Sequence, residues 1–329
     1  DRSVSRGLGD VYKRQLDMHV NVTRDEFLKQ FDPEALAKDI ISTGAEAGMM
    51  YIQSHYGYSY WPTKVGEMHP GLIGNEDAFK RLYDEMHKGG MDVDVYFSMI
   101  YNNWAYDHHP EWRIKDINGN YSRDKGRRFG LCCPNSEGYK KFCRDQIADF
   151  TEYVGSYEAF FADMTFWPTV CYCDNCRARW EKEVGGEMPR IVNWKDERWK
   201  LFQRKREEWL QDYMQYIYDS VKMVNPGAVV EMQNSTMPAS WMMGVTENAT
   251  IASDAVSGDL YGGFSQQTFA CKLYYNMTPN LPFNYTTSRC EPSLDEHTTI
   301  KSEVMMKLHA MLSFINHGSN IFVCLLYTS

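Results

Sequence analysis

One alternation constrains this chain more than any other feature: short runs of β-branched and aromatic residues take turns with amphipathic stretches along its whole length. That order builds βα units, which need a parallel sheet with helices packed over it. Eight runs read as strands, at residues 16–20, 48–55, 93–100, 158–164, 228–233, 255–261, 282–287 and 320–323. The intervening helix signals are explicit. Asp32 stands as N-cap before Pro33, with Leu36, Ala37, Ile40 and Ile41 on one face and Gly44 beyond. Phe79, Leu82, Tyr83 and Met86 recur at helical spacing and stop at Gly89-Gly90. A long excursion from Tyr101 to Asn135 precedes a helix capped by Ser136. Trp209, Tyr213, Ile217 and Val221 mark another stripe, as do Val304, Leu308, Met311 and Ile315. Eight such units predict an α/β chain folded as a (β/α)8 TIM barrel. No internal repeat or low-complexity linker divides it, so a single domain is expected.

The two ends read differently. Residues 5–15, SRGLGDVYKRQ, look like the in-frame translation of a transposase-type sequencing adaptor, and residues 324–329, CLLYTS, read as its reverse complement. The catalytic barrel is therefore expected over 16–323, with 1–15 and 324–329 adaptor-derived and both true termini missing. An oligomer contact, if the natural protein has one, would lie in the missing C-terminal region. The chain carries a formal charge of -9, which becomes -11 without the two more basic than acidic residues of the first stretch. An acidic balance with no Lys/Arg block argues against nucleic acid and anionic membrane as partners. No apolar run approaches the ~20 residues that span a bilayer. Nine Trp and 22 Tyr supply the flat rings on which sugars stack, although ordinary cores use them too.

In such a barrel chemistry sits at the C-terminal ends of the strands. Polar residues expected there are His19, His55, Asp163, Glu231, Asp259 and, just after strand seven, Arg289. Asp163 follows Phe160-Phe161-Ala162 in an apolar strand, where a carboxylate is costly unless solvated or used. Glycoside hydrolysis needs two carboxyl groups flanking the scissile bond. The alternative is a structural Asp bonded to neighbouring amides.

Residues 55–64, HYGYSYWPTK, resemble the His-x-Gly segment running into Trp-Pro-Ser-Lys of glycoside hydrolase family 29, the α-L-fucosidases. Residues 91–104 are similar to that family's third strand, and 157–167, YEAFFADMTFW, to its Trp-Phe-Asp-Gly strand. The stretches 109–112, 131–139 and the CYCDNC loop resemble a related group of hypothetical glycosyl hydrolases. The resemblance implies a retaining exo-glycosidase that removes a terminal sugar from an oligosaccharide or other glycoside. Asp163 would be its nucleophile, and His19, His55 and Trp61 would contact the sugar. Two positions depart from the pattern: Ser54-His55 stands where two His are usual, and Met164 where a Gly follows the nucleophile. The general acid comes from a variable loop in that family. Asp259 is ranked first for it, then Glu231, then Glu291. Arg289 is expected to hold a carboxylate at the barrel mouth, and His108-His109 to structure a loop or rim.

Cys171, Cys173 and Cys176 form C-x-C-x2-C after the fourth strand, and Cys132-Cys133 lie in the loop before it. Four thiolates can converge tetrahedrally on Zn²⁺. The loop resembles the zinc site of family 42 β-galactosidases, with Cys133 taken as fourth ligand and Cys132 as substitute. Such a closed site would be structural, catalysis itself needing no cofactor, and the alternative is a cluster of reduced thiols. Unpaired thiols lean towards a reducing compartment. Two other readings stay open. A family 42-type β-galactosidase would place an Asn-Glu pair after strand four and a Glu after strand seven, where this chain has Asp163-Met164 and Thr286-Thr287. The other is a non-catalytic carbohydrate-binding barrel.

Overall fold

The computed structural model describes residues 12–24, 26–237, 239–278, 283–291 and 299–325. Eight parallel strands close into a barrel in sequence order: β1 (Tyr12–Asp17), β2 (Ala47–Gln53), β3 (Asp92–Ser98), β4 (Ala159–Asp163), β5 (Val229–Gln233), β6 (Ala255–Asp259), β7 (Phe283–Ser288) and β8 (Ser319–Leu325). The helices are α1 (Pro33–Ser42), α2 (Ala78–Lys88), α3 (Asn103–His108), α4 (Glu137–Val154), α5 (Asp174–Glu183), α6 (Glu197–Val224), α7 (Phe264–Met277) and α8 (Glu303–Ile315). This is the TIM-barrel α/β fold that the alternation predicts. Among the described residues the β5–β6 connection carries two 3-10 stretches, Trp241–Met243 and Glu247–Ala252, in place of a full helix.

Local signals act where the sequence puts them. Asp32 accepts from the Ala35 N–H at 2.9 Å and starts α1, while Ser136 caps α4 through the Tyr139 N–H. The longest helix, α6, buries Trp199, Phe202, Trp209, Tyr213, Ile217 and Val221 on one face. It also buries Arg206, 1% exposed, whose guanidinium donates to Gln203 Oε1 and to the Met242 carbonyl, both at 2.6 Å. That cation ties the loop after β5 onto α6. Inside the barrel, Tyr51 and Tyr96 stack at 3.8 Å with planes 11° apart.

Strand one differs from its expectation. It ends at Asp17 rather than Val20, because six residues pair in register with β8, from Tyr12↔Asn320 to Asp17↔Leu325. The adaptor-like stretches thus supply Tyr12–Gln15 of β1 and two residues of β8. Ladder bonds run between backbone groups, so the sequence at those positions decides little about the pairing. The shift has one functional consequence. His19 lies in the loop above β1, and Asp17 becomes the residue at the strand's end.

Candidate active site and cysteine centre

Asp163 ends β4 level with Ser98 at the end of β3. Its carboxylate is 2% exposed and accepts two protein hydrogen bonds. The Tyr96 hydroxyl donates to Oδ2, and the Met164 N–H donates to Oδ1 at 2.8 Å. Burial pushes the carboxyl up to about 6, against the pull of both donors, and the nearby Asp17 adds to the rise. Met164 has φ 57, in the left-handed region that a side chain pays to enter. The glycine usual at this position would enter it freely, so the substitution keeps the turn at a cost in strain.

Two histidines stand over this carboxylate. The His19 and His55 rings lie 3.8 Å apart, and ligand atoms of His19, His55 and Asp163 all fall within 4.8 Å of one another. The hydrogen-bond network assigns their protons. Ser98 Oγ donates to the Tyr101 carbonyl at 2.7 Å, so it accepts from His55 Nδ1 at 2.6 Å, which leaves His55 Nε2 as a free acceptor. The His55 N–H donates to His19 Nδ1 at 3.3 Å, which puts the His19 proton on Nε2, facing Tyr96 Oη at 3.5 Å and Asp17 Oδ1 at 3.7 Å. Burial lowers both imidazoles below their ordinary value, His55 the further, so the pair is neutral at pH 7.

Asp259 ends β6, two residues above Ser257, which is itself in register with Gln233. Its Oδ1 is buried without a hydrogen-bond partner among the described residues. Burial and then the charge of Asp163 push it up to about 8, while the Tyr261 hydroxyl pulls the other way. Two electrostatically coupled carboxyl groups with separated affinities for a proton therefore stand at the C-terminal ends of β4 and β6. Asp17 acts on both and was not among the sequence candidates. Placing β1 three residues earlier would have exposed it as a strand-end acid.

Other candidates sit elsewhere. Glu231 lies level with Phe161, two residues below the end of β4, and is 1% exposed. Asn284 Nδ2 donates to it at 2.6 Å and Lys13 Nζ at 2.5 Å, so it belongs to the barrel interior and not to the mouth. Trp61 also leaves the pocket: its indole N–H needs an acceptor and finds Asp149 Oδ2 on α4 at 2.9 Å, with Phe150 edge-on at 5.2 Å. The rings beside the histidines are instead Phe129, at 4.9 Å from His55, and Tyr101, at 5.3 Å. Arg289 continues the ladder through its N–H to the Val323 carbonyl, and its side chain forms no ion pair among the described residues. Glu291 meets Thr299 through its backbone. His108 stacks on Trp104 at 4.5 Å and His109 on Trp112 at 3.6 Å, which structures the loop after β3.

The cysteines converge. Cys133, Cys171, Cys173 and Cys176 are all buried with their Sγ atoms within 4.8 Å of one another, a cluster that can hold a metal ion. Cys133 and Cys176 are 3.5 Å apart, and Cys133 and Cys171 4.0 Å. Tetrahedral ligands at the usual Zn–S length of about 2.3 Å would be about 3.8 Å apart. Asn135 donates its N–H to Cys133 Sγ at 3.4 Å and its Nδ2 to Cys176 Sγ at 3.3 Å, as donors around thiolates do. Cys132 faces the Asn102 carbonyl instead, which selects Cys133 as fourth member.

The chain matches the family model described as Alpha-L-fucosidase over residues 17–255. No curated protein matches it. Among solved structures it is similar to alpha-L-fucosidase isoenzyme 2 from Paenibacillus thiaminolyticus, with a TM-score of 0.77 and 15% identity, over 96% of this chain and 46% of that one. It is similar to a beta-galactosidase from the Antarctic haloarchaeon Halorubrum lacusprofundi, at TM-score 0.67 and 14% identity, over 88% of this chain and 50% of that one. A third is the GH29 alpha-L-fucosidase from Bacteroides thetaiotaomicron trapped as a covalent intermediate, at TM-score 0.60 and 13% identity, over 98% and 69%. The chain spans about half the length of the first two. At these identities the structural likeness speaks for the barrel alone.

Proposed function

The chain belongs to the α-L-fucosidase family of O-glycosyl hydrolases, and from that premise we propose that it removes a terminal α-L-fucose or a closely related sugar from oligosaccharides, with retention of configuration. The observation that carries the reading is the carboxyl pair: Asp163 at about 6 and Asp259 at about 8, on β4 and β6 of one barrel mouth. Burial raises both carboxyls and the charge of Asp163 raises Asp259 further, so Asp259 keeps a proton to higher pH than Asp163, the order that a nucleophile and an acid need.

In the first step an Asp163 oxygen attacks the anomeric carbon while the bond to the leaving oxygen breaks, and Asp259 gives that oxygen its proton. In the second, Asp259 takes a proton from water, the water oxygen attacks the anomeric carbon, and Asp163 departs. Tyr96 and the Met164 N–H hold Asp163 in one orientation. His55 Nε2, a free acceptor, and the His19 edge would bind ring hydroxyls. Both stay neutral, so neither opposes the charge that develops on the sugar in the transition state.

The four-cysteine cluster is proposed to hold Zn²⁺ as a closed, structural site. Bound metal would fix the loop after β4, and with it the turn that carries Asp163, without entering the reaction. A β-galactosidase of the family 42 type fits less well: β7 ends in Thr286-Thr287-Ser288, with no carboxylate there. The test is release of fucose from an aryl α-L-fucoside by the wild-type chain, lost in Asp163→Asn with the fold intact. Full activity in that variant would sink the assignment.

A further inference from the structure

One wall of the pocket has no task in the proposed chemistry. It comes from the long excursion between β3 and α4, where Phe129 sets its edge against His55 at 4.9 Å with planes 79° apart. Arg128 lies over Phe129, Cζ 4.9 Å from the ring centroid, and over Tyr56 at 5.4 Å. Two contacts of 4.9 Å in series hold the guanidinium within about 10 Å of the His55 ring. Its Nε and Nη2 both donate to Tyr56 Oη, at 2.9 and 2.5 Å. That anchors one edge of the group. A guanidinium carries five N–H donors in a planar fork, so the edge formed by Nη1 and the second Nη2 proton stays open.

Its neighbours behave differently. In the same loop Arg123 pairs with Asp107 at 2.7 Å, and Lys125 pairs with Asp116. Neither Arg127 nor Arg128 forms an ion pair among the described residues, in a chain with 44 acidic residues and 35 basic ones. Both are exposed on the rim. A fixed cation, oriented by a hydroxyl and two rings and left without a carboxylate, is complementary to a planar or tetrahedral anion.

We infer that Arg128, with Arg127 beside it, recognises a carboxylate or sulfate on the glycan, so that the preferred substrate is an anionic oligosaccharide and not a neutral one. The inference rests on the glycosidase reading and names the substrate class of that site. Recognition would use the open Nη1/Nη2 edge bidentately and add to the neutral contacts made by His19 and His55.

Calorimetry on the full chain carrying Asp163→Asn, which leaves glycans uncleaved, tests it with three probes: a neutral fucosylated oligosaccharide, the same glycan with one sulfate, and the same glycan with a uronic acid next to the fucose. At least one anionic probe should bind about tenfold more tightly than the neutral one, with an advantage that shrinks as salt rises. Adding Arg128→Met should erase that advantage and leave neutral binding within about twofold, while Arg128→Lys keeps part of it. Which probe retains the advantage tells sulfate from carboxylate. Equal affinity for all three probes, or an equal loss for all three in Arg128→Met, overturns the inference. Hydrolysis of a neutral aryl fucoside by the wild-type chain, measured separately, reports on the glycosidase reading alone.

Discussion

Removing the Tyr96 hydroxyl should move the working pH of this enzyme in a calculable way. Tyr96 donates to Asp163 Oδ2, and a hydrogen bond to a charged acceptor contributes about 1.5–3 kcal/mol in favour of the ionised form. At about 1.4 kcal/mol per pH unit, Tyr96→Phe should raise Asp163 by about 1–2 pH units, from about 6 to about 7–8. The charge of Asp163 is part of what holds Asp259 up, so as Asp163 loses that charge the two titrations crowd together and the window in which one carboxyl is ionised and the other protonated narrows. In kcat/KM against pH, the acidic limb should move up from about 6 to above 7, and the maximum should fall roughly twofold from ionisation alone. The variant keeps the ring that stacks on Tyr51 at 3.8 Å, so the fold should survive. An acidic limb that stays at about 6, or moves down, would mean that Asp163 does not set that limb.

Other perturbations probe the rest of the account. Metal analysis of the purified chain should find roughly one zinc per molecule, and Cys173→Ala should lose the metal and lower the Tm; a metal-free wild-type protein of unchanged Tm would contradict the zinc assignment. Asp259 has its folded value raised well above that of an unfolded chain, so the folded state binds the extra proton and stability falls as pH rises from about 4 to about 8. Asp259→Asn should therefore raise the Tm by more at pH 8 than at pH 4 while abolishing turnover of substrates with poor leaving groups; a Tm gain independent of pH would count against a raised Asp259. Ser98→Ala removes the acceptor that holds His55 Nδ1, and should weaken substrate binding about fivefold, seen in KM more than in kcat. A KM unchanged in that variant would remove His55 from the sugar site.

The barrel was legible because its information is periodic. Apolar faces at helical spacing, caps such as Asp32 and Ser136, and apolar strands such as Phe160–Ala162 are local signals, and the closed parallel sheet follows from their order. The expected strand one starts at Leu16, beyond the adaptor-like residues 12–15, so it ends three residues too late and hides Asp17. Asp163 and Asp259 could be found, since an acid ending an apolar strand breaks the pattern. Glu231 breaks it equally, and only the register shows that it sits two residues too deep. The family resemblance implies a sugar contact for Trp61, yet the acceptor that captures its N–H, Asp149, lies 88 residues away. The Phe129–Arg128 wall was invisible for a related reason: the stretch between β3 and α4 has no period, and its aim is set by Tyr56 from another loop. The choice of Cys133 over Cys132 likewise depended on which thiol turned towards the other three.

The central claim is that Asp163 is the nucleophile. It is tested most directly by incubating the chain with a 2-deoxy-2-fluoro-fucosyl fluoride, which forms a glycosyl-enzyme slowly hydrolysed, followed by digestion and mass spectrometry of the peptides. A single fluorofucosyl adduct is expected on the peptide spanning β4, at Asp163, absent in Asp163→Asn. An adduct on Asp259 or Asp17, or inactivation that leaves the Asp163 peptide unmodified, would contradict it.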